Sequence, residues 1–71
     1  MKVKFYVLEG SINGLPIRSR SFVTRDRAER FLNAILQKKN LQVEEDRFPQ
    51  PQTEEFVCNY YTRFFIREVE A

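Results

Sequence analysis

The sequence predicts an α+β fold: a small antiparallel sheet of three to four strands with one helix packed on one face, in the order β-β-α-(β)-β. Three features carry that expectation: a hairpin pattern at the start, a capped amphipathic helix in the middle, and a long alternating aromatic segment at the end. Consecutive strands, then one helix, then more strand imply helices segregated to one face of an antiparallel sheet. With 71 residues, the whole span 1–71 is read as a single domain.

The hairpin comes first. Over residues 2–8, Val3, Phe5 and Val7 alternate with Lys2, Lys4 and Tyr6, the pattern of a half-buried strand. Asn13-Gly14 follows, and both residues accept the positive φ of a type I′ hairpin turn. The return strand covers about 15–23. A plain two-residue loop would set Tyr6 and Leu8 on the Leu15/Ile17 face and leave Val3, Phe5 and Val7 among the arginines. A one-residue slip exchanges the faces. A bulge at Gly10 is the expected resolution, because it gathers Val3, Phe5, Val7, Leu15, Ile17 and Val23 on one side.

Thr24 is placed as a helix N-cap. Ala28, Phe31, Leu32, Ile35 and Leu36 then fall at i, i+3, i+4, i+7 and i+8 and form one apolar stripe. Lys38 and Lys39 suit the negative end of the helix dipole, and Asn40 is a left-handed terminator. Beyond it, Leu41–Phe48 is expected to be a short edge strand. Pro49-Gln50-Pro51-Gln52-Thr53 is expected to be an acidic-flanked loop. Residues 55–69 read as one long strand, with Phe56, Cys58, Tyr60, Phe64 and Ile66 on one face and Val57, Tyr61, Arg63, Phe65, Arg67 and Val69 on the other. The expected core is Val3, Phe5, Val7, Ile17, Val23, Ala28, Phe31, Leu32, Ile35, Leu36, Phe56, Tyr60, Phe64 and Ile66.

Residues 22–32, Phe-Val-Thr-Arg-Asp-Arg-Ala-Glu-Arg-Phe-Leu, resemble the strand-to-helix junction of the arm-DNA-binding-type domains of phage integrases. That resemblance implies nucleic-acid binding. The family sets three strands before its helix where two are expected here, and it has no counterpart of the aromatic segment that follows.

Composition narrows the function classes. There is no histidine and only one cysteine, Cys58. An intrachain disulfide is therefore excluded, the four-ligand N/S set of structural zinc is not available, and the commonest proton shuttle is missing. Cys58 lies on the expected core face, where a free cysteine behaves as a small hydrophobe. Glu44-Glu45-Asp46 would point to alternate faces of a strand and reads as a solvated edge rather than a metal site. No enzyme activity, cofactor or metal is expected. Nor is any membrane span, since no apolar run approaches about 18 residues, and the start lacks a signal-peptide core. The expected location is cytoplasmic.

Net charge is +2, but unevenly spread. Residues 1–40 hold nine basic groups against three acids, and residues 41–71 three against seven. Such asymmetry marks either an anionic partner or two halves that attract each other. In the bulged register, the sheet face away from the helix would interleave Lys4, Tyr6, Arg18, Arg20, Phe22, Tyr61, Arg63, Phe65 and Arg67. Rings and arginines of this kind are enriched at protein interfaces. The expected function is a non-catalytic binding or adaptor domain engaging another protein or its own copy. The alternative is nucleic acid, with cations on phosphates and rings stacking on bases.

Overall fold

The computed structural model describes residues 2–71. One helix packs on an antiparallel sheet built from six strands, more than the three to four expected. They are β1 (Lys4–Ile12), β2 (Leu15–Pro16), β3 (Arg20–Phe22), β4 (Glu45–Gln50), β5 (Thr53–Asn59) and β6 (Thr62–Glu70), with α1 (Arg25–Lys38) between β3 and β4. Across the sheet the order is β2-β1-β6-β5-β4, and β3 also pairs with β1. The helix lies over β1, β3 and β6.

The helix forms as its sequence predicts. Thr24 Oγ1 accepts from the Arg27 N–H at 3.2 Å, satisfying one of the donors a helix start leaves unpaired. Asp26 and Arg30 pair one turn apart at 3.0 Å. At the far end Asn40 takes φ 55°. The Leu41 N–H donates to Leu36 O at 2.8 Å and the Asn40 N–H to Gln37 O at 3.2 Å, the two bonds of a Schellman close.

The hairpin register differs from the expectation. Asn13 (φ 53°) and Gly14 (φ 82°) do make the tight turn, but they pair Ile12 with Leu15 directly. Tyr6, Leu8 and Ile12 therefore join the core under the helix. Phe5, Val7, Glu9 and Ser11 face away, opposite Val69, Arg67, Phe65 and Arg63. The extra residue sits in the return strand. Ile12 pairs with Leu15 and Ser11 with Pro16, whereas Tyr6 pairs with Phe22 and Leu8 with Arg20, so the alignment slips by one between Pro16 and Arg20. No bulge forms at Gly10, where β1 stays in register with β6. A Cβ there would lie 2.4 Å from Arg63 O and 2.9 Å from Phe64 Cα, because β1 is closely laddered to β6 from Lys4 to Ser11. The return strand, an edge with one neighbour, absorbs the slip instead. Val3 and Val23, expected in the core, are exposed.

The long strand expected over 55–69 is a second hairpin. Asn59 Oδ1 accepts from the Tyr61 N–H at 2.9 Å, a side-chain-closed turn that folds β5 onto β6. Phe56 thus meets Phe64, and Tyr60, expected inside, is exposed at the tip. The expected loop over 49–53 shrinks to Pro51-Gln52, with Gln52 at φ 63° in the manner of a type II turn. Pro49 lies within β4, where an edge strand tolerates its missing N–H.

The core is Leu8, Ala28, Leu32, Cys58, Phe64 and Ile66, with Tyr6, Ile17, Phe22, Phe31, Ile35, Leu36 and Phe56 among the half-buried residues around it. Three ion pairs join bases of the first half to acids of the second, Lys2–Glu70, Lys4–Glu68 and Arg25–Glu54, and a fourth, Arg67–Glu9, runs the other way. No helix among the described residues is long and apolar enough to cross a membrane.

Candidate binding surface on the open sheet face

The face opposite the helix is built by alternation from four strands. Ladder pairs place Phe65 between Glu9 on β1 and Glu55 on β5, with Arg47 of β4 beyond Glu55. One step along the strands in either direction stand Arg67, between Val7 and Thr53, and Arg63, between Ser11 and Val57. Phe5 and Val69 pair at one end. Phe65 is therefore the centre of a lattice whose nearest neighbours are two carboxylates and two guanidinium groups.

Those charges are matched pairwise. Arg67 Nη2 donates to Glu9 Oε1 at 2.6 Å, and Arg63 Nη1 lies 3.5 Å from Glu55 Oε2. Arg47 forks onto Glu45 at 2.7 and 2.9 Å, which holds the Glu45 carboxyl below its ordinary value and raises the Arg47 guanidinium. A carboxylate and a guanidinium held in hydrogen-bond geometry each favour the other's charged form.

The face is also hollow. Glu55 is only 5% exposed and Val57 9%, although no helix covers them. β4 slips out of register between Arg47 and Gln50, and Pro49 and Gln50 form a rim opposite Glu9 and Arg67. Between them lies a cleft of about 380 Å³ floored by Thr53, Glu55 and Phe65.

The nine residues expected on one surface are divided by the observed register. Arg63, Phe65 and Arg67 are on the open face. Lys4 and Tyr6 turn to the helix side, where both reach Glu68, at 3.7 and 3.2 Å. Phe22 packs on Phe31 with ring centroids 5.5 Å apart, and the Arg20 guanidinium lies 4.7 Å above the same Phe31 ring. Arg18 is exposed at the slip between β2 and β3. Tyr61 stands at the β5–β6 tip against Tyr60, 4.9 Å away, and its carbonyl accepts from the Gly14 N–H.

Glu9 and Glu55 were missed by sequence reasoning. Glu9 lay just past the expected end of the first strand, and Glu55 at the margin of an expected loop. The signal that could have found Glu55 is the period-two run Thr53, Glu55, Val57, which becomes visible once β5 is separated from β6.

A second cleft, about 360 Å³, opens between the helix and β4–β5, where Glu54, Phe56, Leu32, Leu36 and Val43 meet. Glu54 is 7% exposed. Arg25 bonds Glu29 at 2.9 Å through Nε and forms an ion pair with Glu54 through Nη2. Cys58 is buried. Burial, and secondarily the charge of Glu44, push its thiol above the ordinary range, opposite to what a nucleophile needs. Among the described residues no three of His, Cys, Asp and Glu converge as a metal site.

No protein-family model, curated protein or solved structure matches the chain.

Proposed function

We propose that this chain is a non-catalytic binding domain that uses its open sheet face to engage a protein, and that the partner is a second copy of itself. The observation that carries this reading is the pairing on that face. Every arginine on it already has a carboxylate, so the surface is close to neutral around an apolar set formed by Phe5, Val7, Val57, Phe65 and Val69. A nucleic acid on the same face would have to displace Glu9 and Glu55 from their arginines. A protein surface of mixed sign need not, and an identical copy supplies charges of both signs.

Shape supports the same reading. The accessible surface is 5332 Å². A compact monomer of 8.6 kDa is expected to expose about 4,700 Å². The surplus of about 600 Å² approaches the ~800 Å² per partner of a standard interface. Small domains commonly gain their missing stability from oligomerisation.

Sedimentation velocity across micromolar concentrations tests the proposal. The expected result is a species of twice 8.6 kDa that Phe65→Glu returns to the monomer while circular dichroism stays native. A monomer at every concentration, or a dimer indifferent to Phe65→Glu and Val7→Glu, overturns it.

A further inference from the structure

Charge pairing across the rest of the molecule picks out a different surface. Of twelve Lys and Arg residues, seven form ion pairs: Lys2, Lys4, Arg25, Arg30, Arg47, Arg63 and Arg67. Among the described residues the other five, Arg18, Arg20, Arg27, Lys38 and Lys39, form none, and all five are exposed. Four of them are not scattered. Arg27, Phe31, Ala34 and Lys38 fall at i, i+4, i+7 and i+11 and so share one side of α1. Phe31 turns that side toward β3, where it meets Phe22 and lies under Arg20. Arg18 follows on the same sheet edge. Arg18, Arg20, Arg27 and Lys38 thus form a track along the seam between the helix and the β2–β3 edge, with Arg27 and Lys38 about 16 Å apart along the helix axis.

We infer that this seam binds the phosphodiester backbone of a nucleic acid, separately from the protein-binding face and without reading bases. Charge complementarity carries the choice of occupant. The carboxylates left unpaired among the described residues are Glu44 and Asp46, at the opposite edge of the sheet, so a head-to-tail stack of copies would leave three of the five cations unmet. A polynucleotide offers a line of evenly repeated anions to match a line of cations, whereas a bilayer offers a plane. Three of the five cations are arginines, whose planar forks suit phosphate oxygens. Phe31 lies under the Arg20 guanidinium, so Arg20 meets the strand as a cation and Phe31 is not offered to a base.

Fluorescence anisotropy with a labelled oligothymidylate, repeated with a duplex of equal length, tests the inference. If Arg18, Arg20, Arg27 and Lys38 each neutralise one phosphate of a single strand, affinity falls about 50-fold between 50 and 200 mM salt. The double variant Arg27→Gln/Lys38→Gln, exposed on the helix and outside the core, should cut that loss to about sevenfold. No binding at 50 mM salt, a slope unmoved by Arg27→Gln/Lys38→Gln, or tighter binding to phosphatidylserine vesicles or polyglutamate than to either oligonucleotide would overturn it.

Discussion

Gly10→Ala separates the observed register from the one that hydrophobic patterning favours. Gly10 has no positive φ, so an alanine meets no backbone strain there. Taken alone, the substitution should stabilise the protein by about 0.4–1 kcal/mol, because it restricts the unfolded chain. The packing argues the other way. The new methyl would sit 2.4 Å from Arg63 O and 2.9 Å from both Phe64 Cα and the Phe64 ring. Arg63 O and Phe64 Cα are backbone atoms of β6, so no side-chain rotation relieves the clash. β1 and β6 must separate along a ladder of eight paired residues, and Phe64, fully buried, must shift with them. Overpacking of this kind costs about 1–3 kcal/mol, which exceeds the entropic gain. For a domain of this size, a net loss of about 1–2 kcal/mol lowers the melting temperature by roughly 4–16 °C. Thermal and urea unfolding of the two proteins, followed by far-ultraviolet circular dichroism, measure it. A variant as stable as the parent or more so would mean that Gly10 does not face Phe64, and the register of β1 would have to be redrawn.

Substitutions at four further positions probe the same framework. Arg25→Ala should cost about 1–2 kcal/mol in urea unfolding, below the ~3–5 of a fully buried pair because water reaches the arginine. Glu54→Gln should cost less than Arg25→Ala, since it leaves Arg25 bonded to Glu29, and the reverse order would contradict the pairing. Thr24→Ala should lower stability by about 1 kcal/mol through loss of the bond to the Arg27 N–H, and Thr24→Ser should restore most of it. The Cys58 thiol is raised by burial and by Glu44. Above the ordinary thiol value of ~8.5, the unfolded chain gives up its proton while the folded chain keeps it. Stability is therefore whole below that value and declines as pH rises toward the folded one. Unfolding free energy measured from pH 7 to 10 should fall less steeply in Cys58→Ala than in the parent, and equal slopes would show that the thiol does not contribute.

What could be read from the sequence is the part fixed by neighbours along the chain. Thr24, the stripe from Ala28 to Leu36, and Asn40 determine α1 through contacts within a few residues, and each behaves as expected. Asn13-Gly14 forces its turn for the same local reason. The register is set elsewhere, by the close approach of Gly10 to β6 on a strand far along the chain. No pattern within residues 2–23 reports that approach. The Asn59–Thr62 turn contains no glycine or proline, so aromatic alternation ran straight through it. The open face suffered most. A register shifted by one exchanges its faces wholesale. Arg63, Phe65 and Arg67, on an unbroken stretch of β6, lie opposite the helix as their alternation predicts, whereas Lys4, Tyr6, Arg20 and Phe22 lie on the helix side.

The pairing of β1 with β6 has a consequence for how quickly the domain forms. These two strands lie side by side inside the sheet yet come from opposite ends of the sequence. Val3 and Ala71 exchange backbone hydrogen bonds in both directions, and contacts between the two segments span 49 residues at the turn end and 62 at Tyr6–Glu68. The helix and the β5–β6 hairpin need only local closure and can form within microseconds. Seating β1 requires the two ends of the chain to meet, with the entropy of that long closure lost before its ladder is gained. Refolding is then expected in the millisecond-to-second range of sheet-dominated domains, gated by the arrival of the first strand beside the last.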